Sequence, residues 1–375
     1  MLRVALACHN LYPTPGGAER YTHNLATHLA SLGCDVHVFT SDRNFREGGC
    51  ERRYAVHWVE AWRPLGYPVP RLYALRRLAE VDPQVIHTNG PHPYSDCFAL
   101  MAKLLGKPCV MMHHAPLNPQ SSIKTLMAKI ERATFTSLYD AIIVSSELNR
   151  KRLQKAYPNE RIYTVPLGID ETFHSTEISK EEARKKLSIS ENSKILLFVG
   201  RLDRSHYYKG LDLLLKAMLW VPHQIRLFVV GTGELRSYYE AVAMRLGIGD
   251  RVRFVGFIPD EELVLYYLAS DLLVLPSTST SEGFGLVLLE AMLLGTPTMT
   301  TCKAGSARLL EREKVAFVLH DLKPETLAEE IIDALKDEEA RGEIIRNARR
   351  FASKFTWSKS ARVTLTVYKQ ILKRE

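Results

Sequence analysis

The sequence predicts an α/β protein in which two parallel β-sheets, each with helices on both faces, follow one another along the chain. Short apolar runs alternate with helical patterns throughout the 375 residues, which is typical of parallel sheets whose strands are joined by helices. The alternation restarts at the continuous apolar run 195–199, I-L-L-F-V, as expected of a strand buried on both faces. The chain is also too long for one ordinary core. We therefore expect two Rossmann-like domains in tandem.

The first domain is predicted over residues 1–170. Its strand candidates are Arg3–Ala7, Asp35–Thr40, His57–Glu60, Val85–Thr88, Cys109–His113, Ala141–Ser145 and Ile162–Val165. Helices should lie between them, and Glu19–Leu32 is one example because Leu25, Leu29 and Leu32 recur at helical spacing.

The second domain is predicted over residues 171–356, since the polar stretch 170–193 carries no strand signal. Its strand candidates are Ile195–Val199, Leu227–Val230, Val252–Val255, Leu272–Leu275 and Thr298–Thr301. Its helix candidates are Gly210–Met218, Glu234–Leu246, Asp260–Ala269, Leu286–Leu294, Pro324–Asp337 and Glu338–Lys354. A last helical pattern, Trp357–Leu372, follows a short break. We expect this helix, at about 357–375, to return to the first domain; the alternative is that it caps the second.

Composition favours a globular cytoplasmic protein. Apolar residues make up 46% and charged residues 25% of the chain. The six cysteines show no metal-type spacing, so we expect reduced thiols and no metal site. No apolar stretch is long enough for a membrane span, and the N-terminal run resembles a strand rather than a signal peptide.

The net charge of +8 is concentrated in residues 1–170, which hold 20 Lys and Arg against 14 Asp and Glu. No nucleic-acid-binding signature accompanies this excess, so nucleic acid is not expected as a partner. An apolar stripe from Ile123 to Leu138 has lysine and arginine residues interspersed. This stripe either binds peripherally to the inner face of an anionic membrane or faces the protein core.

The most informative motif is the segment S-E-G-F-G-L-V-L-L-E-A-M-L-L-G at 281–295. Glycines allow a ligand to approach the backbone, and the amide groups at a helix start can bind an anion. Glu282 precedes the predicted helix start, and Glu290 lies about two turns further along. This arrangement suits a ligand that is part phosphate and part polyol, such as a nucleotide sugar; a buried helix with two solvated acids is the alternative.

A second motif follows the first strand of the second domain, where parallel sheets bind ligands. It reads G-R-L-D-R-S-H-Y-Y-K-G, from Gly200 to Gly210. Arg201 offers a planar fork of donors and Lys209 a mobile point charge. If this loop lies beside Glu282, the two cations would neutralise a diphosphate. A solvated basic loop is the alternative.

With these motifs, the chain resembles the family-four retaining glycosyltransferases of the GT-B fold, which use nucleotide-diphosphate sugars. The matching segments run in the family's order from residue 15 to residue 297: P-G-G-A-E-R, G-R-L…K-G, V-V-G-T-G, F-V-G-F-I-P-D-E-E-L, L-P-S-T-S-T-S-E-G-F-G-L-V-L-L-E-A-M and G-T-P. The resemblance implies two domains facing each other across a cleft, with the C-terminal helix crossing back to the first.

The resemblance also implies roles for individual residues. The catalytic candidates are Glu282, His113, Arg201 and Lys209. Arg201 and Lys209 would bind the diphosphate, Glu282 the transferred sugar, and Glu290 the ribose hydroxyls. The full set of donor-binding candidates is Gly16, Gly17, Gly200, Arg201, Lys209, Gly231, Gly233, Phe257, Ile258, Glu282, Gly283, Phe284, Gly285, Leu286 and Glu290.

Two positions are ambiguous. His113 and His114 both end a predicted strand, and strand residues alternate between faces. The family has a histidine near the reacting sugar here, and we favour His113 for this role; a structural histidine is the alternative. Where the family often has an acid after Gly295-Thr-Pro297, this chain has Arg308, which affects either the donor pocket or a helix contact.

The expected reaction is metal-independent and retaining, without a cofactor. The donor is a UDP- or GDP-sugar, such as GDP-mannose, UDP-glucose or UDP-N-acetylglucosamine, and the acceptor a glycan, a lipid-linked sugar or a small molecule. The chain contains no Asp-x-Asp sequence, the usual metal site of the other large glycosyltransferase fold. A nucleotide-sugar epimerase of the same fold and a non-catalytic sugar-nucleotide-binding protein remain alternatives. A dehydrogenase is disfavoured because no complete G-x-G-x-x-G occurs.

Overall fold

The chain forms two compact units, Met1–Gly168 with Thr356–Glu375, and Ile169–Phe355. The computed structural model describes residues 1–14, 16–42, 52–64, 68–71, 73–114, 138–174, 177–190 and 192–373. The predicted basic stripe of 123–138 therefore lies outside the described residues, except for Leu138.

The first unit is built on a parallel sheet of seven strands in the order β3-β2-β1-β6-β7-β8-β9. A separate antiparallel pair, β4 with β5, was not predicted. The strands are β1 (Arg3–Cys8), β2 (Asp35–Thr40), β3 (Ala55–Trp58), β4 (Ala61–Trp62), β5 (Val69–Pro70), β6 (Val85–Gly90), β7 (Cys109–His113), β8 (Ala141–Val144) and β9 (Ile162–Thr164).

Helices cover both faces of this sheet. They are α1 (Gly17–Ser31), α2 (Tyr73–Val81), α3 (Pro93–Leu104) and α4 (Glu147–Ala156). Because strand side chains alternate between faces, β7 contributes to two cores. Val110 and Met112 pack in the cluster that contains Leu25 of α1, whereas Cys109 and Met111 pack in the cluster that contains Phe98 of α3.

The second unit contains a parallel sheet of six strands in the order β12-β11-β10-β13-β14-β15. In order of appearance this is 3-2-1-4-5-6, the arrangement of a doubly wound nucleotide-binding sheet. The strands are β10 (Lys194–Val199), β11 (Ile225–Val230), β12 (Val252–Gly256), β13 (Leu272–Leu275), β14 (Thr298–Thr301) and β15 (Phe317–Leu319).

The helices of the second unit are α5 (Lys180–Lys186), α6 (Leu211–Ala217), α7 (Arg236–Arg245), α8 (Asp260–Ala269), α9 (Leu286–Leu294), α10 (Ala307–Arg312), α11 (Pro324–Lys336) and α12 (Glu338–Ala352). A buried carboxylate, Asp271, joins α5 to the sheet. Its oxygens accept from the Arg184 guanidinium at 2.7 Å, from Lys180 Nζ at 2.8 Å and from the Ile195 amide at 2.8 Å.

The last helix, α13 (Trp357–Leu372), belongs to the first unit, which confirms the predicted crossover. Its Trp357 and Tyr368 pack in the same cluster as α1, and the Tyr368 hydroxyl lies 2.6 Å from His87 Nδ1. Gly168 is needed at this contact, since a Cβ atom there would lie 2.4 Å from the Trp357 amide nitrogen. The two α/β units with this returning helix match the predicted fold class.

Candidate functional site

The topology of the second sheet brings the two sequence motifs to one place. β10 pairs with both β11 and β13, so the strand order reverses between β10 and β13. Ligands of open α/β sheets bind beside the carboxyl ends of the strands at this point. The loop that starts at Gly200 follows β10 directly, and the segment that leads to Glu282 follows β13.

Lys209 and Glu282 form a buried ion pair at this edge. Lys209 Nζ lies 2.8 Å from Glu282 Oε2, and the two side chains are only 13% and 9% exposed. The aliphatic stem of Lys209 lies over Gly200, where a Cβ atom would come within 2.8 Å of Lys209 Cδ. The structure thus joins two charged residues that are 73 positions apart.

Backbone contacts hold the loop around Glu282 from behind. The Gly305 amide donates to the Glu282 carbonyl at 2.8 Å, and Ser306 Oγ donates to the Phe284 carbonyl at 2.7 Å. Gly305 has no room for a side chain, because a Cβ atom would lie 2.1 Å from the Gly283 carbonyl oxygen. Arg308, whose role the sequence left open, is exposed on α10.

Helix α9 starts directly after this loop. Gly285 precedes Leu286 with a φ of 80°, a left-handed conformation that favours glycine. Gly285 also has no side chain that could cap the first amide groups of the helix. Those amide groups are suited to an anion, since the first turn of a helix has no internal acceptors for them.

Glu290 lies on the fifth residue of α9 and is 4% exposed. Its Oε2 accepts a hydrogen bond of 2.7 Å from the Tyr267 hydroxyl on α8. This partner was not predicted, because Tyr267 belongs to a different helix and its spacing to Glu290 follows no motif.

Arg201 and Lys209 contact different carboxylates. The Arg201 guanidinium binds Asp203, with Nε at 2.8 Å and Nη2 at 2.6 Å from Oδ2, and the side chain is 52% exposed. His206, in the 3₁₀ segment Arg204–Lys209, has its pKa lowered to about 4 by burial and then by the charge of Lys209. The imidazole is therefore neutral at neutral pH.

Gly231 and Gly233 bring loops of the second unit together. A Cβ atom on Gly231, which has a φ of 133°, would lie 2.0 Å from the Gly200 carbonyl, and one on Gly233 would lie 2.4 Å from Asp203 Oδ1. The Gly231 amide donates to the Gly256 carbonyl at 2.8 Å. Phe257 follows directly and is 61% exposed, while Ile258 is half-buried.

In the first unit, Gly16 and Gly17 start α1 at the carboxyl end of β1. A Cβ atom on Gly16 would lie 1.9 Å from a carboxylate oxygen of Glu19, because the buried Glu19 side chain folds back onto the helix start. Pro15 lies outside the described residues.

The two histidines at the end of β7 differ in their surroundings. His113 is buried and continues the face of Met111, and burial lowers its pKa to about 4. The ring of His114 lies 2.9 Å from Asn89 Oδ1 and edge-on to Tyr21, and burial also lowers its pKa to about 4. Both are neutral at neutral pH, and the choice between them as the reactive residue stays a prediction.

Among the residues that the structure describes, no three His, Cys, Asp or Glu side chains lie close enough to share a metal ion. In the same part of the chain, no helix combines the length and apolar character that a bilayer crossing requires.

Sequence comparisons cover most of the chain. Residues 15–173 match the family model "Glycosyltransferase Family 4", and residues 179–351 match "Glycosyl transferases group 1". An uncharacterized glycosyltransferase of Methanocaldococcus jannaschii is 31% identical over 56% of this chain and 55% of its own length. A D-inositol 3-phosphate glycosyltransferase of Corynebacterium urealyticum is 31% identical over 62% of this chain and 57% of its own length. The matched region therefore spans little more than half of these curated relatives.

Solved structures share the whole fold. Sucrose-phosphate synthase of Thermosynechococcus elongatus superposes with a TM-score of 0.83 at 24% identity and covers 100% of both chains. Anabaena Alr3699/HepE, in complex with UDP-glucose, gives a TM-score of 0.79 at 21% identity and covers 100% of this chain and 99% of the other. At these identities the likeness establishes the GT-B fold.

Proposed function

The chain belongs to glycosyltransferase family 4, and we propose that it is a retaining hexosyltransferase that uses a nucleotide-diphosphate sugar without a metal ion. The donor is of the UDP-glucose, UDP-N-acetylglucosamine or GDP-mannose class, and the acceptor is a glycan, a lipid-linked sugar or a small molecule. The observation that carries the proposal is the buried contact of Lys209 with Glu282, at the ligand-binding edge of the second sheet and beside the start of α9.

The donor diphosphate would bind to the positively charged side chains at this edge of the second sheet. Lys209 and Arg201 each face a carboxylate, Glu282 and Asp203 respectively, and phosphate oxygens would replace these partners. Together with the amide groups of Phe284, Gly285 and Leu286, the two cations would stabilise the charge that develops on the leaving diphosphate. Such preorganised donors are usually the largest single contribution to catalysis.

The carboxylates would recognise the two sugars. Glu282, released from Lys209, would accept hydrogen bonds from hydroxyls of the transferred hexose. Glu290 would accept from the two ribose hydroxyls, since a carboxylate can accept from a vicinal diol at both oxygens. The exposed ring of Phe257, with Ile258 and the loop of Gly231 and Gly233, would flank the base.

We propose transfer on one face of the donor sugar. The bond between the anomeric carbon and the diphosphate oxygen breaks, and its electrons stay on that oxygen. The acceptor hydroxyl forms the new bond to the same carbon and gives its proton to the leaving phosphate oxygen. Trapping of a glycosyl–enzyme adduct on a side chain would contradict this route. The roles expected of Gly16, Gly17 and His113 in the first unit stay predictions.

The acceptor and membrane proposals rest on the basic first unit. Its antiparallel pair of β4 and β5 carries Trp62, which is 69% exposed, and is followed by Arg71, which is 58% exposed and forms an ion pair with Glu60. Tryptophan and arginine together suit a peripheral contact with anionic lipid on the cytoplasmic face. Co-sedimentation with vesicles of neutral and of anionic lipid tests this, and equal binding to both would count against it.

Thermal unfolding with UDP, GDP and ADP tests the donor site. One nucleotide should raise the melting temperature as its concentration exceeds its dissociation constant. The shift should disappear in Lys209→Met and persist in Lys216→Met, which removes a lysine of α6 whose side chain is 51% exposed. Comparing ligand-induced shifts cancels any loss of stability in the variants. A full shift in Lys209→Met would contradict the proposed site.

Turnover separates the transferase from its alternatives. Release of free nucleoside diphosphate from UDP-glucose, UDP-N-acetylglucosamine or GDP-mannose should increase with an acceptor and should be lost in Glu282→Gln. Conversion of the donor to an epimer without release of nucleotide would indicate an epimerase. Binding without either reaction would indicate a non-catalytic protein.

A further inference from the structure

We propose that Tyr267 is a positioning residue for the ribose of the donor, because its hydroxyl fixes the orientation of the Glu290 carboxylate. The inference rests on the proposed function, which assigns the ribose to Glu290. It adds a residue of α8 that no motif of the sequence singled out.

The contact between the two side chains is short and buried. The Tyr267 hydroxyl donates to Glu290 Oε2 at 2.7 Å, and the residues are 0% and 4% exposed. Hydrogen bonds to a charged acceptor are stronger than neutral ones. A fully buried aromatic residue that only fills space has no need of a hydroxyl, which must find a partner when it is buried.

Tyr267 is itself held at two further points. Its carbonyl accepts from Thr296 Oγ1 at 2.6 Å, and its ring packs edge-on against Phe173 with centroids 6.0 Å apart. Thr296 lies just beyond α9, the helix that carries Glu290. The backbone and ring of Tyr267 are therefore fixed relative to that helix, so the direction of its hydroxyl is fixed too.

A fixed hydroxyl matters because of how a carboxylate rotates. The terminal torsion of a glutamate side chain is broad and roughly two-fold. A bond to Oε2 selects one orientation, and a carboxylate with about four lone-pair positions can still accept from a diol. Without the hydroxyl, the ribose would have to order the carboxylate on binding, which costs affinity. The loss should appear with ribose and be smaller with a sugar that lacks one of the two hydroxyls.

Calorimetric titration of the full chain with UDP and 2′-deoxy-UDP, and in parallel with GDP and 2′-deoxy-GDP, tests the inference. In Tyr267→Phe, the affinity for the ribonucleotide should fall about tenfold, and the preference for ribose over deoxyribose should shrink. Tyr266→Phe is the matched control. It removes a hydroxyl from the preceding residue of α8, whose ring packs against Phe228, and should leave the preference for ribose unchanged.

Each outcome separates the two proposals. A wild-type preference for ribose that persists in Tyr267→Phe would overturn the role of Tyr267 and leave the donor site intact. If the wild-type protein binds the nucleotide without any such preference, the ribose role of Glu290 fails first. Thr296→Val removes only the hydrogen bond to the Tyr267 carbonyl. It should reduce the preference for ribose over deoxyribose by a smaller factor than Tyr267→Phe does. Thr296→Val serves as the test if Tyr267→Phe does not fold, and an unchanged preference for ribose in Thr296→Val would also overturn the role of Tyr267.

Discussion

Loss of the Lys209 ammonium group should destabilise the second unit even when no ligand is bound. The substitution Lys209→Met keeps the apolar stem over Gly200 and removes the charge that faces Glu282 at 2.8 Å. Leaving one charge of a buried pair without its partner costs about 3–5 kcal/mol. We expect the lower end, about 3 kcal/mol, because the Lys209 side chain is still 13% exposed. For a unit of this size, that loss lowers the melting temperature by roughly 6–12 °C.

Differential scanning calorimetry of the free protein measures this loss. The double variant Lys209→Met/Glu282→Leu removes both charges and should recover most of the stability, since an apolar pair often replaces a buried ion pair at little cost. Lys216→Met is the control, because it breaks an exposed pair with Asp212 that is worth about 1 kcal/mol or less. The reasoning is refuted if Lys209→Met loses no more than Lys216→Met, or if the double variant is no more stable than Lys209→Met.

Three further predictions concern stability and the loop of Glu282. Burial lowers the pKa of His87 to about 3, below the value of about 6.5 in the unfolded chain. The unfolded chain then binds more protons, so the free energy of unfolding should fall as pH drops from about 6.5 towards 3, and urea titrations should show a shallower fall in His87→Gln. Asp271→Asn removes the buried charge that pairs with Arg184 at 2.7 Å and should cost about 3 kcal/mol by calorimetry. Gly305→Ala forces a Cβ atom to 2.1 Å from the Gly283 carbonyl oxygen and should lower both the stability and, on the proposed assignment, the nucleotide affinity. Gly342→Ala, inside α12, should instead stabilise by up to about 1 kcal/mol.

The sequence predicted the strands that are buried on both faces more closely than those at a sheet edge. The strand predicted at Cys109–His113 was confirmed residue for residue, since its apolar run is preceded by a proline, Pro108, and ends at two histidines. The edge strand predicted at His57–Glu60 was wrong by two residues at each end, because β3 is Ala55–Trp58. Its position is fixed by pairing with β2, where His37 lies opposite Ala55, and no periodicity within the segment encodes that register.

For the candidate site, the sequence identified the charged residues and one of their pairings, but not the partners of Arg201 and Glu290. Lys209 and Glu282 were expected to lie close together because both follow strands that meet at one edge of a sheet, and they do. The pairing of Arg201 with Asp203 could have been predicted from the sequence, since the two are separated by one residue in an exposed loop. The contact of Tyr267 with Glu290 could not have been predicted, because it depends on how α8 packs against α9.

On the proposed assignment, the pair of Lys209 and Glu282 links recognition of the phosphate to recognition of the sugar. A diphosphate that takes Lys209 removes the partner of Glu282, which is 6% exposed and costly to leave without a donor. The hexose of an intact nucleotide sugar has hydroxyls that can donate hydrogen bonds to Glu282, whereas a nucleoside diphosphate lacks this hexose. The two charges that neutralise each other in the free protein would therefore make the site bind the nucleotide sugar more tightly than the nucleoside diphosphate. Loss of the hexose on transfer would lower the affinity for the diphosphate that remains.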